Sequence, residues 1–202
     1  YLEHSPAFVS ALDRVPRAFS WLVDLEHDFL ESSATNRALT AYSIPGLPWK
    51  ADSSWRYNQA PTNPNHLLEF DFGVPSVGVQ DEVYAAESGV VVGTSGTCVW
   101  IQRESDGLRV FYQHIEYSDI DNLTNGRRIS YGDRLGRTTI SDGCDGNTSN
   151  HHVHFSFYSP YSGGILNPQG FTMNGWLVQG NTLVKDGQVR TANFSDKVLH
   201  SD

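Results

Sequence analysis

Two cysteines, one methionine and a shortage of positive charge set the first limits on this 202-residue chain. No run of about 18 apolar residues occurs, so no transmembrane helix is expected. Fourteen basic residues face 23 acidic ones, a net charge of −9. That balance excludes ordinary nucleic-acid binding, which rests on phosphate neutralisation by Lys and Arg. No signal peptide is visible, but the chain opens on Tyr1 rather than Met, so this absence says nothing about export. Repeats, low-complexity tracts and the H-E-x-x-H helix of many zinc proteases are missing too. Cys98 and Cys144 could be reduced core residues. Paired, they would close 46 positions and add about 4 kcal/mol in the chain-entropy model, which implies an oxidising compartment. The sequons at Asn122, Asn147 and Asn193 indicate only loops.

What is present is enough for a core. Hydrophobic residues make up 39% and aromatics 12%, which fits one domain, or one domain with an extension. Residues 1–45 read as a helical, amphipathic N-terminal extension. Ser5-Pro6 is a helix start, and Val9, Leu12, Phe19, Leu22 and Phe29 recur near a 3.6-residue period. His4 and His27 lie there as surface or packing residues. Pro45-Gly46-Leu47-Pro48 marks a boundary, and residues 46–202 read as a β domain. Strands are expected over Arg56–Gln59, Leu67–Gly73, Glu82–Ala85, Gly89–Gly93, Val99–Gln102, Leu108–Gln113 and Arg134–Ile140. Asp106-Gly107 and Asp186-Gly187 are hairpin turns. Many short strands with closely spaced turn signals predict a mainly β fold, an antiparallel sheet or sandwich.

Chemistry collects at three places. Three of the eight histidines fall within His151-His152-Val153-His154, and Phe155, Phe157 and Tyr158 make that run a strand. Alternation sets His152 and His154 on one face and Val153 and Phe155 toward the core. Two imidazoles on a rigid face are either a stacked surface pair or the start of a metal site. In His66-Leu67-Leu68-Glu69-Phe70-Asp71, a histidine and a carboxylate stand five residues apart, within reach of one zinc. Glu69 shares a strand face with Asp71, so parity does not choose between them. His114 closes a strand, as a hydrogen-bonding residue or as a group acting beside a metal.

These pieces, in this order, resemble the M23 family of zinc metallopeptidases, the LytM and lysostaphin-type cell-wall endopeptidases, and within it the β-lytic type. The resemblance is carried by His66…Asp71-Phe72-Gly73-x-Pro75, Val83-Tyr84-Ala85-Ala86-x-x-Gly89-Val90-Val91, Tyr112-x-His114, Gly126…Ile129-x-x-Gly132-x-x-Leu135-Gly136 and His152-Val153-His154-Phe155-Ser156. It spans Leu47 to Lys185 and leaves residues 1–45 uncovered. It implies an antiparallel β-sheet of the LytM type, akin to a duplicated hybrid motif. It implies one zinc per chain held by His66, Asp71 and His154, with His114 and His152 as catalytic histidines. It implies a Cys98–Cys144 disulfide and gives His151, at a place usually held by proline, no catalytic role. Some members add a tyrosine near the oxyanion; Tyr57, Tyr131 and Tyr161 are the candidates here. In latent members an upstream segment blocks the metal, a role residues 1–45 could fill as an alternative to packing on the sheet.

The resemblance points to a secreted or cell-wall-associated bacterial zinc metalloendopeptidase. It would be a monomer hydrolysing peptidoglycan cross-bridges, or another Gly-rich peptide, at Gly–Gly or Gly/Ala-type bonds. The alternative is a non-catalytic LytM-like module that binds the wall or activates another hydrolase. A zinc-storage module is a third reading.

Overall fold

The computed structural model describes residues 42–61, 68–141, 144, 148 and 150–201. The helical segment expected over residues 1–45 lies outside these, except for residues 42–45. There the chain is a strand, β1 (Ser43–Ile44).

The central element is β10 (His152–Tyr158), whose Val153, Phe155 and Phe157 are fully buried. It pairs antiparallel with β3 (Phe70–Gly73) on one side and with β7 (Arg109–Gln113) on the other. From β3 the sheet continues through β2 (Ser54–Gln59) to β15 (Lys197–Leu199). From β7 it continues through β6 (Cys98–Gln102) and β5 (Gly89–Ser95) to β8 (Arg128–Ile129). Every neighbouring pair in this eight-stranded sheet is antiparallel. Gly107, at φ 76°, supplies the left-handed turn between β6 and β7 that Asp106-Gly107 foretells. Gly89 is required for another reason: a Cβ there would lie 2.3 Å from the Gln102 carbonyl oxygen.

A smaller sheet runs β1, β11 (Thr172–Met173), β12 (Trp176–Gln179), β13 (Thr182–Lys185), β14 (Gln188–Thr191). Its β1–β11 pair is parallel. Asp186 and Gly187 both adopt positive φ, as a two-residue hairpin turn requires. A short pair, β4 (Glu82–Tyr84) and β9 (Arg134–Arg137), forms a third sheet among the described residues. One helical turn, α1 (Tyr117–Ile120), connects β7 to the strands that follow.

The core lies on one face of the large sheet. Phe70 and Phe72 stack at 5.6 Å, Tyr112 meets Phe155 at 5.2 Å, and Trp49 stacks on Trp55 at 5.3 Å. Phe157 reaches Phe171, just before β11, at 5.4 Å. Each buried aromatic or aliphatic side chain of this kind contributes about 1.5–3 kcal/mol. The alternation that fills this face leaves the opposite one to Asp71, Gln113, His152, His154 and Ser156. The histidines thus stand on a rigid, well-packed floor.

Candidate metal centre

His154 lies at the middle of the sheet's polar face. Across β3 its Cα partner is Asp71, and across β7 it is Gln113. Directly opposite residues share a face, so imidazole, carboxylate and amide project together. His152 sits one step along, opposite Gly73. A Cβ at Gly73 would lie 2.5 Å from the Asn58 amide nitrogen. The glycine thereby leaves room for Asn58, whose Nδ2 donates to Asp71 Oδ1 at 3.0 Å and fixes that carboxylate.

His114 follows the last residue of β7 at φ 68°. This left-handed conformation is uncommon outside glycine, though histidine is among the residues enriched there. Neighbouring loops hold it: Thr139 N–H donates to the His114 carbonyl at 2.8 Å, and Ile115 N–H donates to Thr97 O at 3.0 Å. The His114 ring lies 4.6 Å from the His152 ring and 5.2 Å from that of His154. One nitrogen from each of the three falls within 4.8 Å of the others.

The three rings are held differently. His152 Nδ1 lies 2.8 Å from the Asn150 carbonyl oxygen and 3.2 Å from Thr148 Oγ1. A carbonyl only accepts, so Nδ1 carries the proton and Nε2 offers its lone pair. His154 Nδ1 lies 3.2 Å from Glu69 Oε2, both side chains being nearly buried. His114 is buried, and its Nδ1 has no hydrogen-bond partner among the described residues.

Burial drives the His114 imidazole down to about 3, reinforced by His152 and His154 and opposed by a backbone hydrogen bond at Ser141. Burial also lowers His152, against the pull of the Asp71 carboxylate. Both rings are therefore neutral at pH 7, the state in which an imidazole can ligate a metal or accept a proton. Neutral imidazoles beside carboxylates form a donor set suited to zinc. A buried imidazole nitrogen without a partner is the kind of atom a bound ion or substrate satisfies.

Of the residues singled out from sequence, Asp71, His114, His152 and His154 thus share one face of one sheet. His66 lies outside the described residues. Cys98, at the start of β6, is disulfide-bonded to Cys144 in the segment leading to β10. His151 is half-buried, and its carbonyl accepts from Val74 N–H. The tyrosine candidates make their described contacts elsewhere. Tyr57 is in the core against Phe72, Tyr131 O–H reaches His200 Nε2, and Tyr161 is 80% exposed.

Three features escape the sequence reading. Asn58 clamps Asp71 from β2, where the register shifts between Tyr57 and Gln59, a bulge that alternation cannot place. Gln113 is 1% exposed, with neither amide atom partnered among the described residues. Its place beside His154 follows only from cross-strand register. Further along the same face Trp100 meets Phe111 at 4.8 Å and Phe111 meets Tyr158 at 5.8 Å, an aromatic shelf.

No protein-family model matches the sequence, and neither does any curated protein. Solved structures do match. An M23 metalloprotease, pseudoalterin, from the deep sea aligns with TM-score 0.59 and 19% identity over 79% of this chain and 99% of its own. Csd3 of Helicobacter pylori aligns at TM-score 0.44 and 22% identity, covering 65% of this chain and 33% of that one. Lysostaphin aligns at TM-score 0.41 and 17% identity, covering 69% and 65%. The last two are too distant to bear on the reading, and at 19% identity the first speaks to architecture alone. The β domain described here has the fold of an M23-type metalloprotease.

Proposed function

We propose that the chain is a secreted zinc metalloendopeptidase that hydrolyses peptide cross-bridges of bacterial peptidoglycan, at Gly–Gly or Gly/Ala-type bonds. The observation that carries this reading is the convergence of His114, His152 and His154, with donor nitrogens within 4.8 Å, on the sheet face that also bears Asp71. The likeness of fold to an M23 metalloprotease supports it, and the disulfide fits an oxidising compartment.

In this reading His66, Asp71 and His154 hold one zinc per chain. Bound zinc would lower the pKa of a coordinated water toward about 7 and polarise the scissile carbonyl. The chain's own groups do the rest. Asn58 keeps the Asp71 carboxylate oriented. His152, protonated at Nδ1 against Asn150, presents Nε2 to accept the proton of the attacking water. His114, neutral and buried beside it, stands where a developing oxyanion can be met. Groups of this kind contribute about two to four decades in rate. Gln113, neither of whose amide atoms is partnered among the described residues, is able to bond a peptide group of an extended substrate.

Purified cell walls and defined cross-bridge peptides test the reading. Cleavage at glycine bonds should stop on chelation and return with about one equivalent of zinc. Stoichiometric zinc without cleavage would leave a non-catalytic module that binds the wall or activates another hydrolase.

A further inference from the structure

The polar face of the large sheet continues past the histidines to a cation that the reading above leaves unused. Arg109, Phe111 and Gln113 alternate along β7, and His154, Ser156 and Tyr158 lie on the same face of β10. Arg109 is the Cα partner of Tyr158, as Gln113 is of His154. The two pairs are four positions apart, about 13 Å at the rise of a strand. Between them stands the aromatic shelf. Phe111 packs between Trp100 and Tyr158, both half-buried. Gly93, the cross-strand partner of Trp100 on β5, has no side chain to cover that ring. Arg109 is half-buried as well. Its Nε donates to Gln102 Oε1 at 3.0 Å, its one polar partner among the described residues. That bond steadies the guanidinium and leaves both terminal nitrogens to a ligand. The carboxylates of the turn between β6 and β7 are committed elsewhere, Asp106 to Arg103 and Glu104 to Arg128. In a chain of net charge −9, Arg109 thus has no acidic partner among the described residues.

We propose that Arg109 is a specificity-determining residue that binds a carboxylate of the peptide substrate, about four extended residues from the bond cut. This assignment rests on the peptidase reading and gives that site a substrate class, peptides with a free carboxylate at that distance. The end of the guanidinium offers two parallel N–H groups, which match the two oxygens of a carboxylate. A peptide carbonyl fills only one of them, and an amino group is repelled. Held by Gln102, the fork loses little freedom on binding. The shelf carries the intervening chain, since aromatic faces pack on extended backbone and small apolar side chains. The carboxylate has two sources, the C-terminus of a short peptide and an acidic side chain within a longer one. No bond is made or broken at Arg109, so its effect falls on substrate binding rather than on the chemical step.

The test uses the full chain and three glycine-rich peptides. One ends in a free carboxylate four residues after a Gly–Gly bond, the second is its C-terminal amide, and the third is that amide with Glu at the fourth position. Cleavage gives KM and kcat, and fluorescence anisotropy of labelled peptides gives affinity without cleavage. The wild-type chain should show a KM at least tenfold lower for the acid than for the amide, with kcat nearly unchanged. Arg109→Gln should erase that difference, and Arg109→Lys should keep part of it, which also serves should the glutamine variant not fold. A gain with the Glu peptide as well extends the site to any carboxylate at that distance; a gain with the acid alone assigns it to chain ends. Equal treatment of all three peptides by the wild-type chain would overturn the assignment and leave the peptidase reading standing. An Arg109→Gln protein that weakens acid and amide alike would overturn it too, because the guanidinium would then only brace Gln102. Arg109-dependent binding of the acid without cleavage would sink the peptidase reading and leave the carboxylate site.

Discussion

The small sheet, with half-buried polar groups, and the polar face of the large sheet, with buried ones, treat them in opposite ways. At the hairpin between β11 and β12, Lys185 Nζ donates to the Asn174 carbonyl and to Ser201 Oγ, both at 2.7 Å. Asn174 Nδ2 donates to Ser201 O at 2.6 Å, and Ser201 N–H returns to Asn174 Oδ1 at 2.9 Å. This network is closed on itself. On the polar face of the large sheet, Gln113, Ser156 Oγ and His114 Nδ1 are buried with no partner among the described residues. A closed network stabilises a fold, whereas a cluster of unspent donors and acceptors reserves its bonding for something not part of the chain.

The contrast can be broken most completely at the metal. Chelation should abolish cell-wall hydrolysis, and His154→Ala should abolish both zinc retention and hydrolysis, measured by metal analysis and dye release from labelled walls. Next, His152→Ala should keep zinc while kcat falls by about two to four decades. Loss of zinc with that substitution would reverse the roles given to the two histidines.

The third effect is on stability. His114 is held near 3 when folded against an ordinary value of 6.5. Between those values the unfolded chain binds a proton that the folded chain does not. Stability of the metal-free protein should therefore fall as pH drops from about 6.5 toward 3, by up to about 1.4 kcal/mol per pH unit from this group. Urea unfolding across that range should show a shallower slope in His114→Phe.

The closed network should respond in stability alone. Lys185→Met leaves the Asn174 carbonyl and Ser201 short of a donor and should cost about 1–3 kcal/mol, with activity per folded molecule unchanged. Gln113→Leu sharpens the comparison from the other side. Replacing an unpaired buried amide by an apolar group should leave stability unchanged or raise it by about 1 kcal/mol, while KM for a cross-bridge peptide rises. A Gln113→Leu protein as destabilised as Lys185→Met would mean that the amide is structural.

Parts of this architecture were legible because their patterns are local. Val153, Phe155 and Phe157 alternate with His152 and His154, and that alone oriented β10. Asp106-Gly107 and Asp186-Gly187 named their hairpins through the positive φ that glycine accepts. Asn174-Gly175 carries the same signal, with φ values of 49° and 76°. It joins strands that on one side number only two residues, too short to show a period. β1 and β8 are equally short and have no readable alternation. β1 gains its place by parallel pairing with β11, some 130 residues away, which no local pattern encodes.

The site divides in the same way. By itself the sequence determined which residue types face the polar side of β10 and β3, because side-chain direction alternates with every residue. It left Asp71 and Glu69 equivalent, since residues two apart have the same parity. Only the tertiary structure separated them, setting Asp71 opposite His154 under the Asn58 clamp and bringing Glu69 within 3.2 Å of His154 Nδ1. The positive φ at His114, which turns its ring toward His152, and the register that sets Gln113 beside His154 were likewise decided there. Cross-strand distance depends on pairing between distant segments, and a single strand's sequence carries no measure of it.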